Sequence, residues 1–191
     1  MRSPQTLSEV DRRLVAAWVA DCAERVLPLF EAEAPGDSRP RDLIARARAF
    51  ARGELDVAEE IRRRFVGGAA RDVTAPAAVA AAQAAGQAAA IPHMGAHALG
   101  AAAYAAKAAG LAAPDRPEVV NEEVCWQLDH MSPEVRTALR RLPLVGENAS
   151  GPLGPGQLAR GLLGEIIREF QAGLADPDHV VRVESQAVHI Q

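Results

Sequence analysis

The sequence predicts an all-α fold: a single-domain bundle of about six to eight helices. Three observations carry this. Apolar residues recur at spacings of three and four along most of the chain. Ala, the strongest helix former, fills 22 of the 39 positions from 75 to 113. No run of strands alternating with helices is present, and Gly/Pro-rich breakers such as EAPGDSRP and GLAAPDRP separate the periodic stretches.

Each helix can be read in turn. Thr6 and Glu9 have the spacing of a capping box. Behind them Leu7, Val10, Leu14, Trp18, Cys22 and Val26 form a stripe, with Val15, Val19 and Phe30 alongside. Pro28 is expected to kink or split this helix. The stretch EAPGDSRP breaks it. Asp37 or Ser38 is placed to cap a second helix, with Pro40 in the first turn and Leu43, Ile44, Ala47 and Phe50 as its stripe; Gly53 ends it. Asp56 and Glu59 open a third helix, along which Val57, Ile61 and Phe65 step by four, and Gly67 and Gly68 weaken its end.

Thr74 is the expected cap of the Ala-rich region, which Pro92 divides in two. Small side chains let neighbouring helices approach closely, so residues 75 to 110 are expected at the centre of the bundle. Residues 117 to 131 form a further helix through Val120, Val124, Leu128 and Met131. Ser132 caps the next, with Pro133 at its first position. LPLVGENASGPLGPGQ reads as a Gly/Pro linker. Leu158, Leu162, Ile166, Phe170 and Leu174 then mark a last helix, and HVVRVESQAVHIQ alternates like an extended tail. The organisation expected is 1–142, a helical domain; 143–157, a linker; 158–191, a C-terminal helix and tail that offers a route to a homodimer.

Composition excludes several classes. The chain has 191 residues, a net charge of −4 and 49% hydrophobic residues. That length buries a core without metal or disulfide, and the acidic balance argues against non-specific nucleic-acid binding. Cys22 and Cys125 make no paired framework, and no apolar signal core opens the chain, so the cytoplasm is expected. Val79 to Ala106 carries no Lys, Arg, Asp or Glu. Its Ala content, Gln83, Gln87 and two His still argue against a membrane span. There is no GxSxG elbow and no phosphate loop: Lys107, the only lysine, lies between alanines.

Three groups of polar residues remain. His93 and His97 are four apart, one helical turn. A zinc protease helix would need Glu beside the first His and a third ligand; position 94 is Met. The pair is therefore read as structural, with no metal and no cofactor, the alternative being a metal- or ligand-binding role. The arginines between Arg39 and Arg71 could face phosphates, which would make a nucleic-acid-associated module. However, Asp42, Glu54, Asp56, Glu59, Glu60 and Asp72 alternate with them, the pattern of a salt-bridged face. The corner FEAEAPGDSRPRD presents Glu31, Glu33, Asp37, Arg39 and Arg41 around prolines, and a stiff loop with both charge signs suits a protein partner.

The stretches WVADCAERVLPLFEAEAPGDSRPRDLIARARAFARGEL and HMGAHALGAAAYAAKAAGLAAP resemble a family of bacterial immunity proteins of polymorphic-toxin systems, over about residues 7–142. The resemblance lies in Cys22-Ala23-Glu24, Asp37 with Arg39-Pro40-Arg41, Gly53-Glu54, and His93 with His97-Ala98. The family pattern often has Trp where Phe50 stands and His near Gly67 or Gly68, which this chain lacks. The resemblance implies an all-α, non-catalytic protein that binds and neutralises a cognate toxin.

Overall fold

The computed structural model describes residues 3–63 and 68–183. Among them are eight α-helices and no strand: α1 (Glu9–Glu33), α2 (Arg39–Ala51), α3 (Val57–Arg63), α4 (Pro76–Ala89), α5 (His97–Ala112), α6 (Val119–Asp129), α7 (Pro133–Leu139) and α8 (Gly161–Ala175). Two short 3-10 turns, Ala69–Arg71 and Gln157–Ala159, complete the regular structure.

The Ala-rich pair α4 and α5 is the centre. α4 packs against α5, α1 and α2, while α5 also touches α6 and α8. Ala101, Ala102, Ala103, Ala105, Ala106 and Ala108 are all fully buried on α5. With side chains this small, backbone approach replaces interdigitation. Gly110 shows how close it is: a Cβ there would stand 2.4 Å from a Val120 methyl. Most of the bulky residues that fill the remaining core come from the flanks, with Phe30, Phe50, Phe170, Ile166 and Ile167 fully enclosed, and α5 itself adds Leu99.

Several helix ends differ from expectation. The cap of α1 is Ser8, not Thr6: Ser8 Oγ accepts from the Asp11 N–H at 3.0 Å. The backbone carbonyl of Thr6 is instead engaged by the Gly95 N–H at 3.0 Å, and that of Gln5 by the Ala96 N–H at 2.9 Å. Leu7, at φ +60°, turns the chain from this dock into α1. Pro28 neither splits nor ends α1, which runs unbroken to Glu33. Pro28 is exposed, so the carbonyl freed one turn back can be hydrated rather than orphaned. Thr74 does not cap α4. Its N–H and hydroxyl, together with the Ala75 N–H, donate to the Glu33 carboxylate at 2.7, 3.0 and 3.0 Å. A carboxylate from the end of α1 thus serves the start of α4, a long-range cap that local spacing does not reveal. Ser132 caps α7 as expected, accepting from Val135, and Asp56 accepts from the Ala58 and Glu59 N–H groups.

The segment 143–157 is folded onto the domain. Leu153 is fully buried, and the buried Gln5 amide accepts from the Leu153 N–H and donates to the Ser150 carbonyl. Leu158 falls in the 3-10 turn and α8 starts at Gly161. After α8 the chain through Val183 forms neither helix nor strand; Arg182 and Val183 donate their N–H groups to Glu169 and Asn121. Val181 and Val183 are buried against the same chain. The rest of the alternating tail, and Phe65 and Gly67, lie outside the described residues. No helix among those described is long and apolar enough to cross a membrane.

Candidate functional site

The corner between α1 and α2 is a lattice of ion pairs. Arg41 reaches Glu31 at 2.6 Å. Arg39 holds Asp37 at 2.5 Å and Asp72, on the approach to α4, at 2.6 Å. Asp37 also accepts the Arg39 backbone N–H at 3.0 Å, which fixes the turn. The Arg39 guanidinium holds the Asp37 carboxyl below the usual carboxylate range. Hydrogen bonding from the Thr74 backbone, foremost, does the same for Glu33. All five residues read from the sequence therefore come together, and each has a role inside the chain. Glu33 is a cap, Asp37 and Arg39 lock the turn, and Glu31 with Arg41 forms an outer pair. The Arg41 side chain is 60% exposed.

The lattice continues along α2. Arg46 holds Glu60 at 2.7 Å, Arg48 holds Asp21 and Glu24 at 2.8 and 2.6 Å, and Arg52 holds Glu54 at 2.6 Å. An arginine that already carries a carboxylate has little positive potential left for phosphates. Apart from Arg46–Glu60, whose carboxylate is buried, these are exposed pairs that contribute about 0–1 kcal/mol each to stability; their effect is to fix which side chains face outward.

Beyond Glu24, on the groove between α1 and α6, lies a cluster that sequence periodicity left unassigned. The Arg25 guanidinium sits 3.7 Å over the Trp126 ring. His130 stacks on the same indole with centroids 3.9 Å apart and planes 21° apart. Two groups this close to one ring centre must take opposite faces. Arg25 also grips the buried Glu123 through both oxygens, at 2.9 to 3.1 Å. Gln127 steadies Glu123 at 2.9 Å, and Trp18 donates to the Gln127 carbonyl at 3.0 Å. The groove has a volume of about 400 Å³ and is bordered by Asp21 and Glu24. A second groove of about 270 Å³ shares Glu24 and reaches Arg41. The two grooves thus adjoin at Glu24, and the second meets the corner at Arg41. In the sequence Trp126 lies off the apolar stripe formed by Val120, Val124 and Leu128, which is the trace that the stack leaves there.

His93 and His97 face a different cavity, of about 350 Å³, lined also by Gln87, Met94, Tyr104 and the segment around Gly151 to Leu158. Their ring centroids are 6.4 Å apart. His97 Nδ1 meets the Gln87 Oε1 at 2.7 Å. Burial, with a smaller contribution from His93, pushes the His97 pKa down to about 4. His97 thus links the start of α5 to Gln87 of α4. Among the described residues no group of three or more His, Cys, Asp or Glu is gathered as metal ligands. Cys22 is wholly buried, and burial raises its thiol well above the ordinary range, against a nucleophilic role.

Against this geometry, the family model described as Imm-5 like putative immunity protein matches residues 5–134. The chain belongs to the Imm-5 like family. No match was found among curated proteins or among solved structures. The family match takes in α1 through α6, and with them the corner, the Trp126 stack and both histidines. The chain of this Imm-5 like protein beyond residue 134 supplies most of α7, the packed segment through Leu158, and α8.

Proposed function

We propose that this Imm-5 like protein binds and neutralises a cognate bacterial toxin in the cytoplasm, by occlusion rather than catalysis. The observation that carries the reading is the family match over residues 5–134. The contact surface proposed runs from the corner, with Glu31, Glu33, Asp37, Arg39 and Arg41, across Glu24 to Arg25, Trp126 and His130. Its ion pairs are formed before any partner arrives, so little side-chain freedom is lost on association. Trp and Arg are the residue types that most often dominate interface energy, and Trp126 is held rigid from both faces. Alternating charges of both signs favour selection among partners and rapid encounter over bulk affinity.

A homodimer through α8 is not part of this proposal, because α8 already buries Leu163, Ile166, Ile167, Phe170 and Leu174 in its own chain. A nucleic-acid role for the Arg face is set aside as well, since Arg39, Arg41, Arg46, Arg48 and Arg52 are each held by carboxylates.

The test is co-expression with the toxin domain encoded beside this gene. Wild type should rescue growth. The swap Glu31→Arg with Arg41→Glu preserves the ion pair but reverses its display, so a folded swap variant should rescue poorly. Trp126→Ala should weaken toxin binding in calorimetry by at least tenfold. Full rescue by the swap and unchanged binding by Trp126→Ala would remove this surface from the interface, and failure of wild type to rescue would refute the immunity reading.

A further inference from the structure

The cavity around His97 is closed on one side by residues beyond the family match, Gly151, Pro152, Gly156, Gln157 and Leu158. None of its lining residues is Asp, Glu, Lys or Arg. Its donors are two imidazoles, a thioether, a phenol and two amides. That set lacks the carboxylates on which Mg²⁺ and Ca²⁺ sites usually depend. It also falls short of the closed set of Cys, His or carboxylate ligands that holds Zn²⁺. It does match the preference of soft, low-coordinate ions for nitrogen and thioether sulfur.

The geometry of the two rings agrees. A ring bound through one nitrogen places its centre roughly 3 Å from the ion. Centroids 6.4 Å apart therefore match the separation that an ion bound by one nitrogen of each ring requires. His97 is also prepared for such a role. The atom facing its Nδ1 is an amide oxygen, Gln87 Oε1, at 2.7 Å. An amide oxygen only accepts, so Nδ1 carries the proton and Nε2 keeps its lone pair. Metal-bound histidines are oriented in this way, by a hydrogen bond from the nitrogen not used for binding. Gly100 keeps the seat of Gln87 clear: a Cβ there would stand 2.7 Å from the same oxygen and 2.9 Å from Leu158. From sequence the pair was read as structural because position 94 is Met and no acid lies near. In the fold that Met94 lines the same cavity as both rings, and its thioether is a donor that suits a soft metal where a zinc site would look for a third His, Cys or carboxylate.

We propose that His93, Met94 and His97 form a binding site for a soft monovalent metal ion, Cu(I), with Gln87 as the positioning residue for His97. The site is separate from the toxin-facing surface and does not depend on the immunity reading.

The experiment is an anaerobic titration of the full chain with Cu(I) against a chromophoric Cu(I) chelator. It is run in the wild type and in a Cys125→Ser background, because Cys125 is an exposed thiol that can capture copper by itself. One equivalent should bind in both. His97→Ala and Met94→Leu, made in the Cys125→Ser background, should each weaken binding at least tenfold, and Gln87→Leu by roughly tenfold or more. Met94→Leu conserves side-chain volume at a partly buried position, so its circular dichroism melt should match that of its parent. X-ray absorption should show nitrogen and sulfur around the ion, with the sulfur lost in Met94→Leu. Absence of binding once Cys125 is replaced, or binding unchanged by both His97→Ala and Met94→Leu, would overturn the assignment.

Discussion

Substituting Leu at Ala102 or Ala105 places a direct load on the centre of the bundle. Both alanines are fully buried on α5, between α4, α1, α6 and α8. Leu adds three carbons where contacts are already close enough that Gly110 has no room for one. The added side chain also gains from leaving water, about 0.8 kcal/mol per buried methylene, but only where space exists. In a filled core strain outweighs that gain, and overpacking costs about 1–3 kcal/mol. For a chain of this length each 1 kcal/mol corresponds to about 2–4 °C in melting temperature. Each variant should therefore melt roughly 2–12 °C below wild type, followed by helical circular dichroism and checked by urea unfolding. Ala112→Leu is the control. Ala112 is the last residue of α5 and is exposed, so its stability should stay within about 0.5 kcal/mol of wild type. If Ala102→Leu and Ala105→Leu both behave like this control, the small-residue helix is not a packed centre and the account of the core is wrong.

Arg25→Ala leaves the Glu123 carboxylate, 6% exposed, with Gln127 as its remaining polar contact. Because Arg25 itself is 40% exposed, the expected loss is about 2 kcal/mol, below that of a fully buried pair, read from the urea midpoint. Ser8→Ala removes the α1 cap and should cost about 1 kcal/mol, whereas Thr6→Ser should leave α1 unchanged. For His97 in metal-free protein, the folded pKa of about 4 lies below the unfolded value near 6.5. The unfolded chain then binds more protons between these values, so stability is full above about pH 6.5 and declines toward pH 4, by up to roughly 3 kcal/mol. His97→Gln should flatten that part of the stability profile, and an unchanged profile would disprove the assignment.

The helices were legible because their signals are local. Periodic stripes, Ala content and breakers at Pro35, Gly36 and Pro92 placed α1, α2, α4 and α5, and Ser132-Pro133 marked the start of α7. What was not legible depended on partners distant in sequence. Thr74 has the composition of a cap, but Glu33, 41 positions earlier, serves α4 instead. The Gly/Pro content of 143–157 suggested a linker, since Gln5 offered no hint that its amide would seat Leu153. At the site, the charged corner could be gathered from sequence because Glu31 to Arg41 are neighbours in the chain. The Arg25–Trp126–His130 stack joins residues about a hundred positions apart, and the Gln87 partner of His97 is visible only once α4 and α5 are antiparallel neighbours across Pro92.

The Gln5 clamp also bears on when the protein is ready to act. Its amide waits for Leu153, 148 positions downstream. At a synthesis rate of about 5–20 residues per second, that partner emerges roughly 7–30 s after Gln5 does. Until then the N-terminal segment has its dock on Gly95 and Ala96 but not its clamp, and the cavity wall contributed by residues 151–158 is missing. The finished structure is thus a late event of translation rather than one assembled helix by helix. A chain ending before residue 151 would keep the dock on Gly95 and Ala96 but lack both the clamp and that wall.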